Sequence, residues 1–279
     1  MPSAPRGLLL AVCLLLPSQR LLAEEAEGLE RVSLRPMAGL IIDDLGDRLE
    51  DGLRAINLPG DVTYSILPQT TFSRRFAEQA HRQGKEVMLH QPMQAMNDVA
   101  MGPGGLSLHM TRDTFVQTLR ANLASVPHAR GVNNHMGSLL TRYPGQMAWL
   151  MDELQHRGDL FFVDSTTTNK TVAQKVALEY RLPTLRRNVF LDHEKNEASI
   201  RQQFARFIAQ AKAVGSSLAI AHPYPETLRV LEQLLPTLQE QGVKLLPVSQ
   251  LIAQRNERRE RLWQASLSPS QRDVKSSKQ

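Results

Sequence analysis

The stretch Leu40-Ile41-Ile42-Asp43-Asp44-Leu45-Gly46 decides how this chain is read. An apolar run long enough for a buried strand ends abruptly in two adjacent carboxylates and a glycine. Burying an unpaired carboxylate is costly, and breaking a buried charge pair leaves the same penalty behind. Side by side at a strand end, two carboxylates call for a metal or an acid–base pair at the mouth of a sheet or barrel. Taken alone, they would equally suit a strand followed by an Asx turn. The pattern recurs, however. Short apolar runs end in polar, metal-capable residues at Val87-Met88-Leu89-His90, Gly131-Val132-Asn133-Asn134-His135, Phe161-Phe162-Val163-Asp164-Ser165 and Leu218-Ala219-Ile220-Ala221-His222. Strands that each carry a functional group at the C-terminal end define one site.

Outward from that stretch, strand-like runs cover 38–44, 62–67, 86–90, 131–135, 160–164, 188–191, 217–221 and 243–247. They alternate with helical stretches over 46–56, 73–83, 111–125, 143–157, 171–180, 197–214, 225–241 and 248–261. Such alternation demands a parallel sheet or barrel with helices outside. Seven or eight strands favour a barrel, whose chemistry sits at the C-terminal ends of its strands. The segment 91–109, with Pro92, Pro103 and three glycines, is expected to be a loop. Its methionines suit a lid or apolar wall.

The 279 residues fit one large domain with tails. Arg6, an apolar run over 8–16, Pro17 and a small residue at Ala23 are the parts of a secretory signal peptide. The expected organisation is therefore a signal peptide over 1–23, a leader over 24–36, a domain over 37–262 and a basic disordered tail over 263–279. The apolar run is shorter than the ~20 residues a membrane helix needs, so no stable transmembrane segment is expected after cleavage. The expected location is the periplasm or cell envelope. Cys13, the single cysteine, falls inside the signal. A mature chain without cysteine holds no disulfide and binds metal through nitrogen and oxygen only. The formal charge is +5, with much of the excess near the C-terminus. Nothing in the sequence resembles a nucleic-acid-binding module.

The motifs in their order carry a resemblance. Ile41-Ile42-Asp43-Asp44-Leu45-Gly46, Thr63-Tyr64-Ser65-Ile66-Leu67-Pro68, Gly84-Lys85-Glu86-Val87-Met88-Leu89-His90-Gln91-Pro92-Met93, Asn133-Asn134-His135-Met136-Gly137-Ser138, Asp164-Ser165-Thr166-Thr167 and His222-Pro223 follow one another as in a known family. Over residues 36–252 the chain resembles the divergent branch of the polysaccharide deacetylases, which belongs with the NodB-like carbohydrate esterases. The resemblance implies an α/β fold, a deformed (β/α) barrel of about seven parallel strands with outer helices. It also implies a divalent metal, usually zinc, and removal of N- or O-acetyl groups from an acetylated polysaccharide or peptidoglycan.

Carried over residue by residue, the resemblance makes Asp43 the general base and Asp44 a metal ligand. His90 fills the first place of a His-x-x-x-His motif, but Gln94 stands four residues on, and an amide is a poor replacement for histidine on zinc. His135, at the end of a different strand, is expected to make up the loss. His222 is the expected general acid, and Asp164 the acidic residue that orients base or acid. The expected substrate contacts are Tyr64, Asn134, Ser138 and Tyr224, with backbone N–H groups near Tyr64 or Asn134 as oxyanion donors. His193, in Leu191-Asp192-His193-Glu194, has metal-capable neighbours but no strand-end context and is set aside. The competing expectation is a non-catalytic glycan-binding or partner-docking envelope protein on the same fold.

Overall fold

The computed structural model describes residues 35–97 and 99–266. The expected signal segment, nearly all of the expected leader and the tail beyond residue 266 lie outside the described residues. Among the described residues nine strands, all but β6 and β7 separated by helices, make up the sheet: β1 (Met37–Leu45), β2 (Thr63–Ile66), β3 (Glu86–Met93), β4 (Ala129–Met136), β5 (Phe161–Asp164), β6 (Thr184–Arg186), β7 (Val189–Phe190), β8 (Ser216–Ala221) and β9 (Lys244–Leu245). The helices are α1 (Leu49–Ile56), α2 (Ser73–Arg82), α3 (Arg112–Ser125), α4 (Pro144–Arg157), α5 (Ala173–Glu179), α6 (Glu197–Val214), α7 (Pro225–Leu234) and α8 (Val248–Ser266). The last helix runs on to Ser266, so residues 263–266, expected in the tail, are helical.

Every strand pairing among the described residues is parallel, in the order β6-β5-β4-β3-β2-β1-β8-β7, with β9 added beside the start of β1. The deformed barrel is thus observed, with eight strands in its main path. Its two end strands, β6 and β7, are consecutive in sequence and share no ladder. Two residues between them bridge the gap instead. Arg187 N donates to Asp164 O (3.0 Å) and Asn188 N to Leu218 O (2.8 Å).

Period-two alternation sorts each strand between an inner and an outer face. Met37, Ile41, Met88, Phe161, Val163, Leu185, Leu218 and Ile220 form an inner cluster with Val248, Leu251 and Ile252 of α8. Leu40, Ile42, Tyr64, Ile66, Val87, Leu89, Val132 and Phe162 face the helices in a larger outer core. The floor of the barrel is closed by α8. Gly39 makes room for it, since a Cβ there would stand 2.8 Å from Leu251 Cδ2. The Glu86 carboxylate accepts from Ser249 N (3.2 Å) and from Thr63 Oγ1 (2.9 Å), which in turn accepts from Val248 N. An acidic group at this helix N-terminus satisfies donors that have no partner within the helix. With the floor filled and capped, the open end lies at the strand C-termini.

Candidate metal centre at the barrel mouth

Two adjacent strand residues ordinarily point to opposite faces. In β1 the register slips between Ile42, which pairs with Tyr64, and Leu45, which pairs with Ile66. Three steps on β1 therefore oppose two on β2, which is a β-bulge. Asp44 sits at φ +59° within it, a left-handed conformation that aspartate tolerates better than most residues. Bulge and reversal bring both carboxylates into the same cavity. Met136 (φ +53°) and Thr166 (φ +55°) turn the ends of β4 and β5 in the same way.

Asp44 Oδ1, His90 Nε2 and His135 Nδ1 converge. The oxygen lies 3.1 Å from His90 Nε2 and 2.9 Å from His135 Nδ1, and the two nitrogens are 3.2 Å apart. These three are a group able to hold a metal ion. Asp44 Oδ1 is buried and meets no hydrogen-bond geometry, so its negative charge has a polar contact but no bonded donor. Two nitrogens and one oxygen, with other positions open to the cavity, suit a divalent cation of the zinc type.

Behind this group stands a second layer. His90 Nδ1 is 2.8 Å from Asn133 Oδ1, which also accepts from Ser65 Oγ (2.5 Å), while Asn133 Nδ2 donates to Asp43 Oδ1 (2.8 Å). Because Asn133 Oδ1 can only accept, neutral His90 carries its proton on Nδ1 and aims the lone pair of Nε2 into the cluster. Ser65 and Asn133 share the inner parity of β2 and β4 and are fully buried.

The ionisable groups of the cluster shift one another. Burial would raise Asp44, but the close approach of His135 and His90 outweighs it and holds the carboxyl well below its usual range. Burial opposes a charge on His90, yet Asp43 and Asp44 raise its pKa above the ordinary value. Asp43 is raised, chiefly by burial, against the opposing charges of His90 and His222 and the Asn133 bond.

His222 follows β8 and shares the inner parity of Leu218 and Ile220. Its Nε2 is 3.7 Å from Asp44 Oδ2, and its Nδ1 is 3.0 Å from Asp192 Oδ1. Asp192 is buried and accepts from His222 N (2.6 Å) and Thr227 Oγ1 (2.9 Å) through its other oxygen. Burial would lower the His222 pKa, but the bond and charge of Asp192, then Asp44 and Asp43, raise it to about 9. A cavity of about 440 Å³ joins Asp43, Asp44, His90, His135 and His222 to Ser165, Arg187 and His193.

Several sequence expectations change. Tyr64 is fully buried on the outer face, where its hydroxyl donates to Ala55 O (2.7 Å); it touches no part of the cavity. Its parity with Ile66 explains this. Asp164 likewise shares the outer parity of Phe162. Its carboxylate accepts from Thr166 N and Thr171 Oγ1 (both 2.9 Å), so it shapes the turn after β5 and orients neither Asp43 nor His222. Ser138 Oγ accepts from Met96 N (3.0 Å), holding the adjoining loop rather than lining the cavity. Asn134 does line it, while its side chain ties Ser165 N (2.9 Å) to Met136 O (2.7 Å). Tyr224 stacks on the His222 ring at 5.4 Å, with Lys195 Nζ 3.9 Å above its own ring. Gln94 is clear of the metal cluster: its Oε1 accepts from Leu108 N (2.8 Å) in the loop.

Asp192 and Arg187 are residues the sequence reading missed. Asp192 follows β7, a two-residue strand too short to show any periodicity. Arg187 fills the break between β6 and β7. Its Nε donates to Ser165 O (2.6 Å) and its Nη2 to Thr166 O (2.9 Å), and burial lowers its pKa against the charges of Asp43 and Asp164.

A parallel, incompletely closed barrel with its polar cluster at the strand C-termini defines an α/β barrel protein with a candidate metal centre at its mouth. Residues 40–252 match the family described as divergent polysaccharide deacetylase, and the chain belongs to that family. The uncharacterized protein YibQ of Escherichia coli K12 is 37% identical over 199 residues, 71% of this chain and 62% of that protein. The match thus spans less than two thirds of that relative. The crystal structure of an uncharacterized protein from Agrobacterium tumefaciens C58 superposes with a TM-score of 0.75 at 21% identity, covering 78% of this chain and 89% of that one. A CE4 family pseudoenzyme from Bacillus anthracis gives 0.50 at 17% identity, covering 78% and 66%. At these identities the structural likenesses establish the fold. Among the described residues no helix is long and apolar enough to cross a membrane.

Proposed function

We propose that this protein is an exported, metal-dependent deacetylase that hydrolyses acetyl groups on an envelope glycan such as peptidoglycan. The observation that carries the proposal is the convergence of Asp44 Oδ1, His90 Nε2 and His135 Nδ1, with Asp43 and the Asp192–His222 pair beside them. Asp44, His90 and His135 would hold the divalent metal, zinc being the ion that best suits their donor atoms. When bound, such a metal polarises an acyl oxygen and makes a nearby water more acidic.

The chain's own groups then move the protons. Asp43, buried and fixed by Asn133 Nδ2, takes a proton from the water that attacks the acetyl carbon. His222 gives a proton to the departing amine or alkoxide as the bond to the acetyl carbon breaks, leaving acetate and the free glycan group. Asp192 keeps the His222 ring turned so that Nε2 faces the cavity. Arg187 and Ser165 also line the cavity, where polar sugar groups can dock. The signal-like segment supports export, and the absence of cysteine from the expected mature chain agrees with the all-N/O ligand set.

The test is acetate release from acetylated peptidoglycan and chitooligosaccharides by zinc-loaded protein, against Asp43→Asn. Release by the wild type alone supports the proposal; no release from either class of substrate overturns it. A second reading, glycan binding without turnover, is favoured by one departure: Gln94, where the wider pattern has a histidine, serves the loop. That reading expects glycan retention that is equal in wild type and Asp43→Asn.

A further inference from the structure

At the opposite end of the barrel lies a second cavity, of about 670 Å³. Met37, Thr184 and Ser216, the first residues of β1, β6 and β8, reach it, so it opens where the strands begin. Arg181, Arg255, Arg258 and Arg259 line it, and no acidic side chain does. Some arginines elsewhere are paired, as Arg54 with Glu232, Arg112 with Asp152, Arg120 with Glu153 and Arg229 with Glu197. Among the described residues none of the four cavity arginines has an ion-pair partner.

Arg258 makes the case sharper. Its Nη1 is buried without an acceptor, a costly state for a charged donor. The guanidinium packs directly against Gly215, where a Cβ would collide with Nη1. Among the described residues the fold leaves space for an arginine head and supplies it no anion.

The rim of this cavity is apolar. Leu178 of α5, Val214 of α6 and Leu262 of α8 line it and are 55%, 67% and 65% exposed. Three helices thus contribute large hydrophobic side chains around one arginine-lined hollow. Between positions 255 and 278 the sequence carries seven basic residues against three acidic ones. A phosphate among the arginines, with apolar contact around it, is the chemistry of an anionic lipid headgroup at a membrane surface.

We infer that the strand-start end of the barrel docks on an anionic phospholipid surface, with a headgroup phosphate held among Arg255, Arg258 and Arg259. Docked in this way, the barrel turns its metal-centre mouth away from the bilayer.

The test is co-sedimentation of the full chain with vesicles of phosphatidylcholine alone and of phosphatidylcholine with about a third phosphatidylglycerol, at two salt concentrations. The wild type is expected to bind the anionic vesicles, less so at high salt, and to leave the neutral ones in solution. Replacing Arg255, Arg258 and Arg259 together by Gln should weaken binding on the order of a hundredfold, from about fivefold per arginine. Leu262→Asp, at an exposed position that leaves folding intact, should also weaken it. Equal binding by wild type and the arginine variant would overturn the inference and assign the affinity to another segment. So would equal binding to neutral vesicles, or none to either. Displacement from the vesicles by millimolar inorganic phosphate would likewise overturn it, in favour of a free oxyanion. These readouts need neither metal nor glycan, so they stand or fall apart from acetate release.

Discussion

His222 Nδ1 lies 3.0 Å from Oδ1 of Asp192, whose other oxygen accepts from the backbone N–H of the same histidine at 2.6 Å. One buried carboxylate thus fixes both the ring and the main chain of the histidine whose Nε2 stands 3.7 Å from Asp44 Oδ2. Asp192→Asn should retain metal and lower acetate release about 10- to 100-fold, the usual range when a partner orienting a site histidine is lost. Asp192→Ala should further destabilise the fold by about 2–4 kcal/mol, since His222 N and Thr227 Oγ1 lose their acceptor. Elemental analysis, acetate assay and urea unfolding read the three effects separately.

Bound metal per chain separates the roles of neighbouring carboxylates. Wild type should hold about one divalent transition metal, and His90→Ala, His135→Ala and Asp44→Ala should each lose it, because three donors barely suffice for a catalytic site. Asp43→Asn should keep the metal and lose acetate release. Full metal retention by both histidine variants would refute the ligand set.

Asn133 touches no cavity ligand position itself but holds His90 Nδ1 and Asp43 Oδ1 together. Asn133→Ala should weaken metal affinity about 10- to 100-fold while leaving all three ligands in place. Competition with a chromogenic chelator measures this directly. An unchanged affinity would mean that packing alone orients His90.

Tyr64→Phe should cost about 0.5–1.5 kcal/mol in stability through the lost bond to Ala55 O, with no change in acetate release or glycan retention. Denaturant unfolding checks the first part and the acetate assay the second. A fall in activity at unchanged stability would return Tyr64 to the site.

Metal should also stabilise the fold. At a hundredfold excess over its dissociation constant, zinc should add about 2.7 kcal/mol to the unfolding free energy. The gain should vanish in His135→Ala and on chelation, as read by thermal melting with and without zinc.

The sequence by itself determined the βα alternation and the parallel barrel, because apolar runs of strand length alternated with stretches of helix length. It also pointed to Asp44, His90 and His135 as one cluster, since the family resemblance marks the first two and a parallel barrel gathers strand ends at one mouth. Period-two counting along β2 and β5 would already have turned Tyr64 and Asp164 outward, with Ile66 and Phe162. Asp43 and Asp44 resist that counting, since adjacent strand residues diverge unless a bulge realigns them, and the register slip after Ile42 is a property of pairing with β2. Tertiary structure alone decided the partner of His222. Asp192 is 30 residues away in sequence, beyond a strand too short to leave a pattern, and only the ladder of β7 on β8 brings the two together. Local chemistry is written in the order of residues, whereas long-range pairing depends on which strands become neighbours.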